Sequence, residues 1–99
     1  MDEIICVLGK RITFSRERRI HIFLRHPELE GKEHEIVQTL TNADFVQESV
    51  YDKDVILYYR NLGKKEYFVV AVKVLNNHGF IVTAYIAGVI KEGVIVWSK

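Results

Sequence analysis

The sequence predicts an α+β domain: two N-terminal helices packed on one face of an antiparallel β-meander of about four strands. Apolar residues recur at helical spacing before Asp44 and switch to strand-like alternation after it. The joints between the later segments are short and rich in Asn, Asp and Gly, which favours antiparallel neighbours over parallel crossovers. With one proline, no repeat and no low-complexity stretch, nothing divides the 99 residues, so 1–99 reads as one domain with a modest core.

The apolar run "IICVL" at residues 4–8, ended by Gly9, predicts a short strand. It is too short for a signal-peptide core or a membrane span, so no membrane association is expected. Ser15 is placed to cap a helix running to about Arg25 or His26, with Arg18 where a capping-box glutamate would sit. Pro27 ends that helix, because the residue before a proline is pushed out of the α region. Ile20, Phe23 and Leu24 share one side of it and are expected to face the core. "KEHEIVQTL" fits a second helix with Ile36, Val37 and Leu40 as its apolar stripe, and "TNAD" stops it. "FVQESVY", "VILYYR", "EYFVVAVKVL" and "GFIVTAYIA" then read as strands joined by "YDKD", "NLGKK" and "NNHG"; "KEGVIVWSK" can add one more.

Fourteen Lys and Arg against thirteen Asp and Glu leave a net charge of +1, so binding to a polyanion would need a local patch. Lys10, Arg11, Arg16, Arg18, Arg19 and Arg25 offer one, or else a solvated helix face. Cys6 is the only cysteine, which excludes an intrachain disulfide; a thiol within an apolar strand reads as buried and fits a reducing cytoplasm. No Cys or His spacing matches a zinc site, and no glycine-rich phosphate loop or dinucleotide fingerprint is present. Neither a metal nor a cofactor is expected.

Alternation places Phe68, Val70, Val72 and Val74 on the core face of the third strand, with Lys73 on the other among Tyr67, Val69, Ala71 and Leu75. In the fourth strand Ile81, Thr83, Tyr85 and Ala87 share a face, so Thr83 and Tyr85 could join Lys73. Tyr58 and Tyr59 put one tyrosine on each face of the second strand, and register decides which meets the ligand. These residues suit either a solvated sheet face or a surface binding a phosphodiester. On the first helix His21 and Arg25 project from the same side. His26 lies about 140° around from His21 on an ideal helix, so both imidazoles enter one pocket only if the helix unwinds at Pro27.

Taken in order, "HIFLRHPE", "IVQTLTNADFV", "YYR", "YFVVAVKVL" and "GFIVTAYIAGVIKEG" resemble the small phage- and mobile-element-associated domains of the barnase-EndoU-colicin-RelE-like (BECR) nuclease group, over about residues 11–97. The resemblance implies helices on a four-stranded antiparallel sheet and metal-independent RNA cleavage by side chains on the open face. It carries over to His21, Arg25, His26 and Glu28 at the helix, Lys73 on the third strand, and Thr83 and Tyr85 on the fourth. Ala43 stands where such domains commonly have proline before the aspartate, a change confined to the turn. The expected catalytic set is His21, His26, Lys73, Thr83 and Tyr85, with Arg25, Glu28 and Tyr58 as substrate contacts. The function implied is an endoribonuclease or ribonuclease-like toxin, with RNA as partner and an antitoxin or immunity protein as a second one. The alternative is a non-catalytic RNA- or protein-binding module of the same fold.

Overall fold

The computed structural model describes residues 3–99. In chain order it has β1 (Glu3–Ile5), β2 (Arg11–Thr13), α1 (Arg16–Arg25), a 3₁₀ turn (Pro27–Leu29), α2 (Glu33–Thr41), β3 (Phe45–Ser49), β4 (Val55–Gly63), β5 (Glu66–Leu75), β6 (His78–Ala87) and β7 (Gly93–Ser98). The expected four-stranded antiparallel meander is corrected to one seven-stranded mixed sheet in the order β1-β2-β6-β5-β4-β3-β7. Two three-residue strands precede the helices. The second of them, β2, joins β6 in parallel through Arg11↔His78 to Thr13↔Phe80, the pairing that makes the sheet mixed. At the far edge β7 pairs antiparallel with β3.

The first helix starts and stops for local reasons. The Ser15 side chain accepts a hydrogen bond from the Arg18 amide at 3.1 Å, capping α1. His26, held before Pro27, leaves the helix at φ −131°, ψ 71°. The expected apolar stripe of α1 is displaced: Ile20 is 51% and Leu24 76% exposed, whereas Ile22 is fully buried. Ile22 meets Ile36 and Leu40 of α2 and Tyr58, Val70 and Val72 of the sheet in one core cluster. Two charged links tie the helices down. Arg19 pairs with Glu33 across the helix–helix junction, and Arg60 of β4 pairs with Glu35 of α2 while its Nε donates to Thr39 Oγ1 at 3.1 Å.

The hairpin turns select unusual backbone. Lys64 and Lys65 both adopt positive φ between Gly63 and Glu66, the twist a two-residue hairpin loop requires, and Asn76 does the same between β5 and β6. Gly79 sits where β2, β5 and β6 run side by side. A Cβ there would lie 2.6 Å from the Lys73 carbonyl oxygen and 3.0 Å from a Val72 methyl, so only glycine lets the strands approach.

The sheet face away from the helices has its own apolar cluster of Leu57, Tyr59, Val69 and Ala71, flanked by Phe45, Val55, Tyr67, Val82, Tyr85 and Ala87. Residues 88–92 cross this face on the way from β6 to β7. The Lys91 amide donates to the Tyr59 hydroxyl at 3.2 Å, and Gln47 Nε2 donates to the Lys91 carbonyl at 2.6 Å. This strap and the Phe45 ring, stacked on Tyr59 at 4.7 Å, keep Tyr59 fully buried. No helix among the described residues is long and apolar enough to cross a membrane.

Candidate functional site

Register settles which side chains share the strapped face. Val69↔Tyr85, Ala71↔Thr83 and Lys73↔Phe80 put Tyr85, Thr83 and Lys73 on it together. A bulge between Ala71 and Val72 changes the parity of β6, so Ile81 pairs with Val72 and is fully buried on the helix side instead of joining Thr83. Tyr58, expected to contact substrate, pairs with Val70 and faces the helices. It is fully buried and its hydroxyl donates to Cys6 Sγ at 3.1 Å, and burial pushes its phenol far above the ordinary range. The tyrosine on the strapped face is Tyr59, whose phenol is also pushed up by burial.

The eight expected residues fall into separate groups. His26 and Tyr85 meet, with ring centroids 6.4 Å apart and planes tilted by 32°. Glu28, one residue past Pro27, places Oε2 3.5 Å from His26 Nδ1, and Arg25 is exposed in the last turn of α1 beside them. His21 stays apart, lining a cleft with Thr13, Ser15, Glu17, Arg18 and Phe80. Pro27 therefore swings His26 off the helix and toward the sheet, and leaves His21 where helical geometry puts it.

Lys73 belongs to neither group. It stands opposite Phe80, four residues from Val69, or about 13 Å along the strand from the position facing Tyr85. Its ammonium is 2.9 Å from Asp52 Oδ2 and 4.0 Å from Asp54 Oδ2 in the β3–β4 turn. The hydrogen bond from Lys73 holds the Asp52 carboxyl below its ordinary value of 3.8, and the same bond raises Lys73 above 10.5. The pair's contribution to stability is thus present between those values. It is lost as pH falls below 3.8 and Asp52 protonates, and again as pH rises above 10.5 and Lys73 deprotonates. The melting-temperature gap between wild type and Lys73→Met is expected to be widest near neutral pH and to narrow toward both extremes; a gap constant from about pH 2 to about pH 12 would show that the ion pair contributes nothing.

Tyr85 carries the most informative atom. Its hydroxyl is buried and has no hydrogen-bond partner among the described residues. Buried polar groups are nearly always paired, because an unpaired one costs about 1–3 kcal/mol. The Lys91 ammonium lies 5.3 Å from the centroid of the same ring. An imidazole beside a carboxylate, a phenol without a partner among the described residues and an ammonium are therefore gathered around one point where the end of α1, β6 and the strap meet.

Lys91 is absent from the residues expected from sequence. "VIKEG" closes the segment "GFIVTAYIAGVIKEG" that carries the resemblance and opens the approach to a last strand, but nothing in it beyond a lysine following two apolar residues marks Lys91. Among the described residues no three His, Cys, Asp or Glu side chains converge as metal ligands. No family model, curated protein or solved structure matches the chain.

Proposed function

We propose that the chain is a metal-independent endoribonuclease whose centre is His26, Glu28, Tyr85 and Lys91, with Thr83 and Arg25 at its margins. The observation that carries this reading is the partnerless Tyr85 hydroxyl beside His26 and Lys91, an uncompensated cost that a phosphate oxygen would remove. The resemblance of "RHPE" and "TAY" to the BECR nuclease group points to the same two elements.

In the reaction so read, Glu28 keeps the His26 Nδ1–H turned toward its carboxylate, which leaves Nε2 free to take the proton of the RNA 2′-hydroxyl. The 2′-oxygen bonds to phosphorus and the bond from phosphorus to the 5′-oxygen breaks. Tyr85 donates a hydrogen bond to a non-bridging oxygen while Lys91 and Arg25 offset the charge of the phosphorane, and water supplies the proton to the departing 5′-oxygen. Lys73 has no part, since its charge is already met by Asp52.

Purified protein is expected to cleave single-stranded RNA in EDTA and to leave 2′,3′-cyclic phosphate ends. Cleavage that requires a divalent ion, or products lacking the cyclic end, would contradict the mechanism. Binding to RNA without any product would favour the non-catalytic module.

A further inference from the structure

The cleft beside His21 is separate from the His26 centre. It has a volume of about 340 Å³ between β2, α1 and β6 and is lined by Thr13, Ser15, Glu17, Arg18, His21 and Phe80. Glu17, Arg18 and His21 project from one side of α1, being four and three residues apart. Three half-buried cations elsewhere are held by acids: Arg19 by Glu33, Arg60 by Glu35 and Lys73 by Asp52. Arg18 is different. Its guanidinium is half-buried and, among the described residues, reaches the Val82 carbonyl at 3.5 Å and no carboxylate. A partly desolvated guanidinium without an anion is incomplete in the same sense as the Tyr85 hydroxyl.

We propose that this cleft is a nucleotide subsite, in which Phe80 stacks on a base, Glu17 accepts a hydrogen bond from the base's exocyclic amine, and Arg18 with His21 holds the phosphate. The inference rests on the RNA-cleaving reading and deepens it. An aromatic wall beside a guanidinium and an imidazole is a combination that suits single-stranded nucleic acid, the ring taking the base and the nitrogen donors the backbone. The carboxylate of Glu17 would repel a bare phosphate but suits an amine donor such as cytosine N4, which makes the cleft selective for amine-bearing bases over uracil. His21 and His26 are five residues apart, about 7.5 Å along the helix axis, and Phe80 lies about 13 Å along the sheet from the position facing Tyr85, so a nucleotide in the cleft would sit about two nucleotides from the phosphate undergoing cleavage.

Cytidine monophosphate has base, ribose and phosphate but no scissile linkage, so it tests the cleft without relying on catalysis. Titrating the full chain with it is expected to shift the amide resonances of Thr13, Arg18, His21 and Phe80. Uridine monophosphate should bind about fivefold more weakly, and inorganic phosphate more weakly still. Phe80→Leu and Arg18→Gln are each expected to weaken cytidine monophosphate about tenfold. Glu17→Gln, an exposed and conservative change, should bring the two nucleotides together. Shifts centred elsewhere, or phosphate binding as tightly as the nucleotide, would overturn the subsite. RNA cleavage that proceeds while all three probes leave the cleft unshifted would remove the subsite alone. Nucleotide binding here by a protein that cleaves no RNA would remove the proposed activity and keep the subsite.

Discussion

Replacing His26 with alanine is expected to lower RNA cleavage about 10²–10⁴-fold, the usual loss when a proton-transfer group is removed. Stability should scarcely change, because the bond that closes α1 runs from the His26 backbone amide to the Ile22 carbonyl at 2.8 Å and survives in alanine. Tyr85→Phe should move the two readouts in opposite directions. Removing a buried hydroxyl that has no partner is expected to stabilise the fold by about 1 kcal/mol. Losing a donor to the phosphorane should cost about 10²-fold or more in rate. Initial rates on a fluorogenic oligoribonucleotide, paired with thermal melts, read both. A Tyr85→Phe protein that is less stable and fully active would show that the hydroxyl is a structural group and would remove it from the mechanism.

Ile22→Ala carries the largest expected effect on stability, about 2–5 kcal/mol in urea unfolding, against about 0.5–1.5 for Ile22→Val. Ile22 is the one fully buried side chain of α1 and its main anchor in the core, with Phe23 packed beside it. Because α1 carries His21, Arg25 and the approach to His26, cleavage should fall in Ile22→Ala with every polar site residue intact. A loss below 1 kcal/mol would mean that Arg19, through Glu33, holds the helix instead.

How much was legible in the sequence depended on whether the deciding contact was local. The boundaries of β5, the Ser15 cap and the helix end before Pro27 follow from alternation, side-chain oxygen chemistry and proline sterics, all read within a few residues. The parallel pairing of β2 with β6 joins residues 67 positions apart, for example Arg11 with His78, and three-residue strands carry no pattern that names a partner. The burial of Ile22 in place of Ile20 and Leu24 depends on where the sheet lies relative to α1, which helical spacing does not encode. One bulge at Ala71/Val72 moved Ile81 to the other face while leaving Thr83 and Tyr85 where alternation put them. For the site, types and elements were legible, and groupings were not. Pro27 gave the clue to His26, but the capture of Lys73 by Asp52 and Asp54 needed the β3–β4 turn to fold back over the strand end.

The strand order also dictates how the domain assembles in time. β3, β4, β5 and β6 are neighbours in both sequence and sheet, so their three hairpins can zip from short loops, whereas β2 must find β6 across two thirds of the chain and β7 must find β3 across about half of it. Contacts of such sequence separation are closed late, since loop entropy is lost before they contribute. Amide hydrogen exchange should therefore be slowest in β4 and β5 and fastest in β1 and β7. The strap over Tyr59 is anchored beyond its far end by β7, so the face that carries the candidate site closes only when β7 docks, after the β3–β6 hairpins have formed.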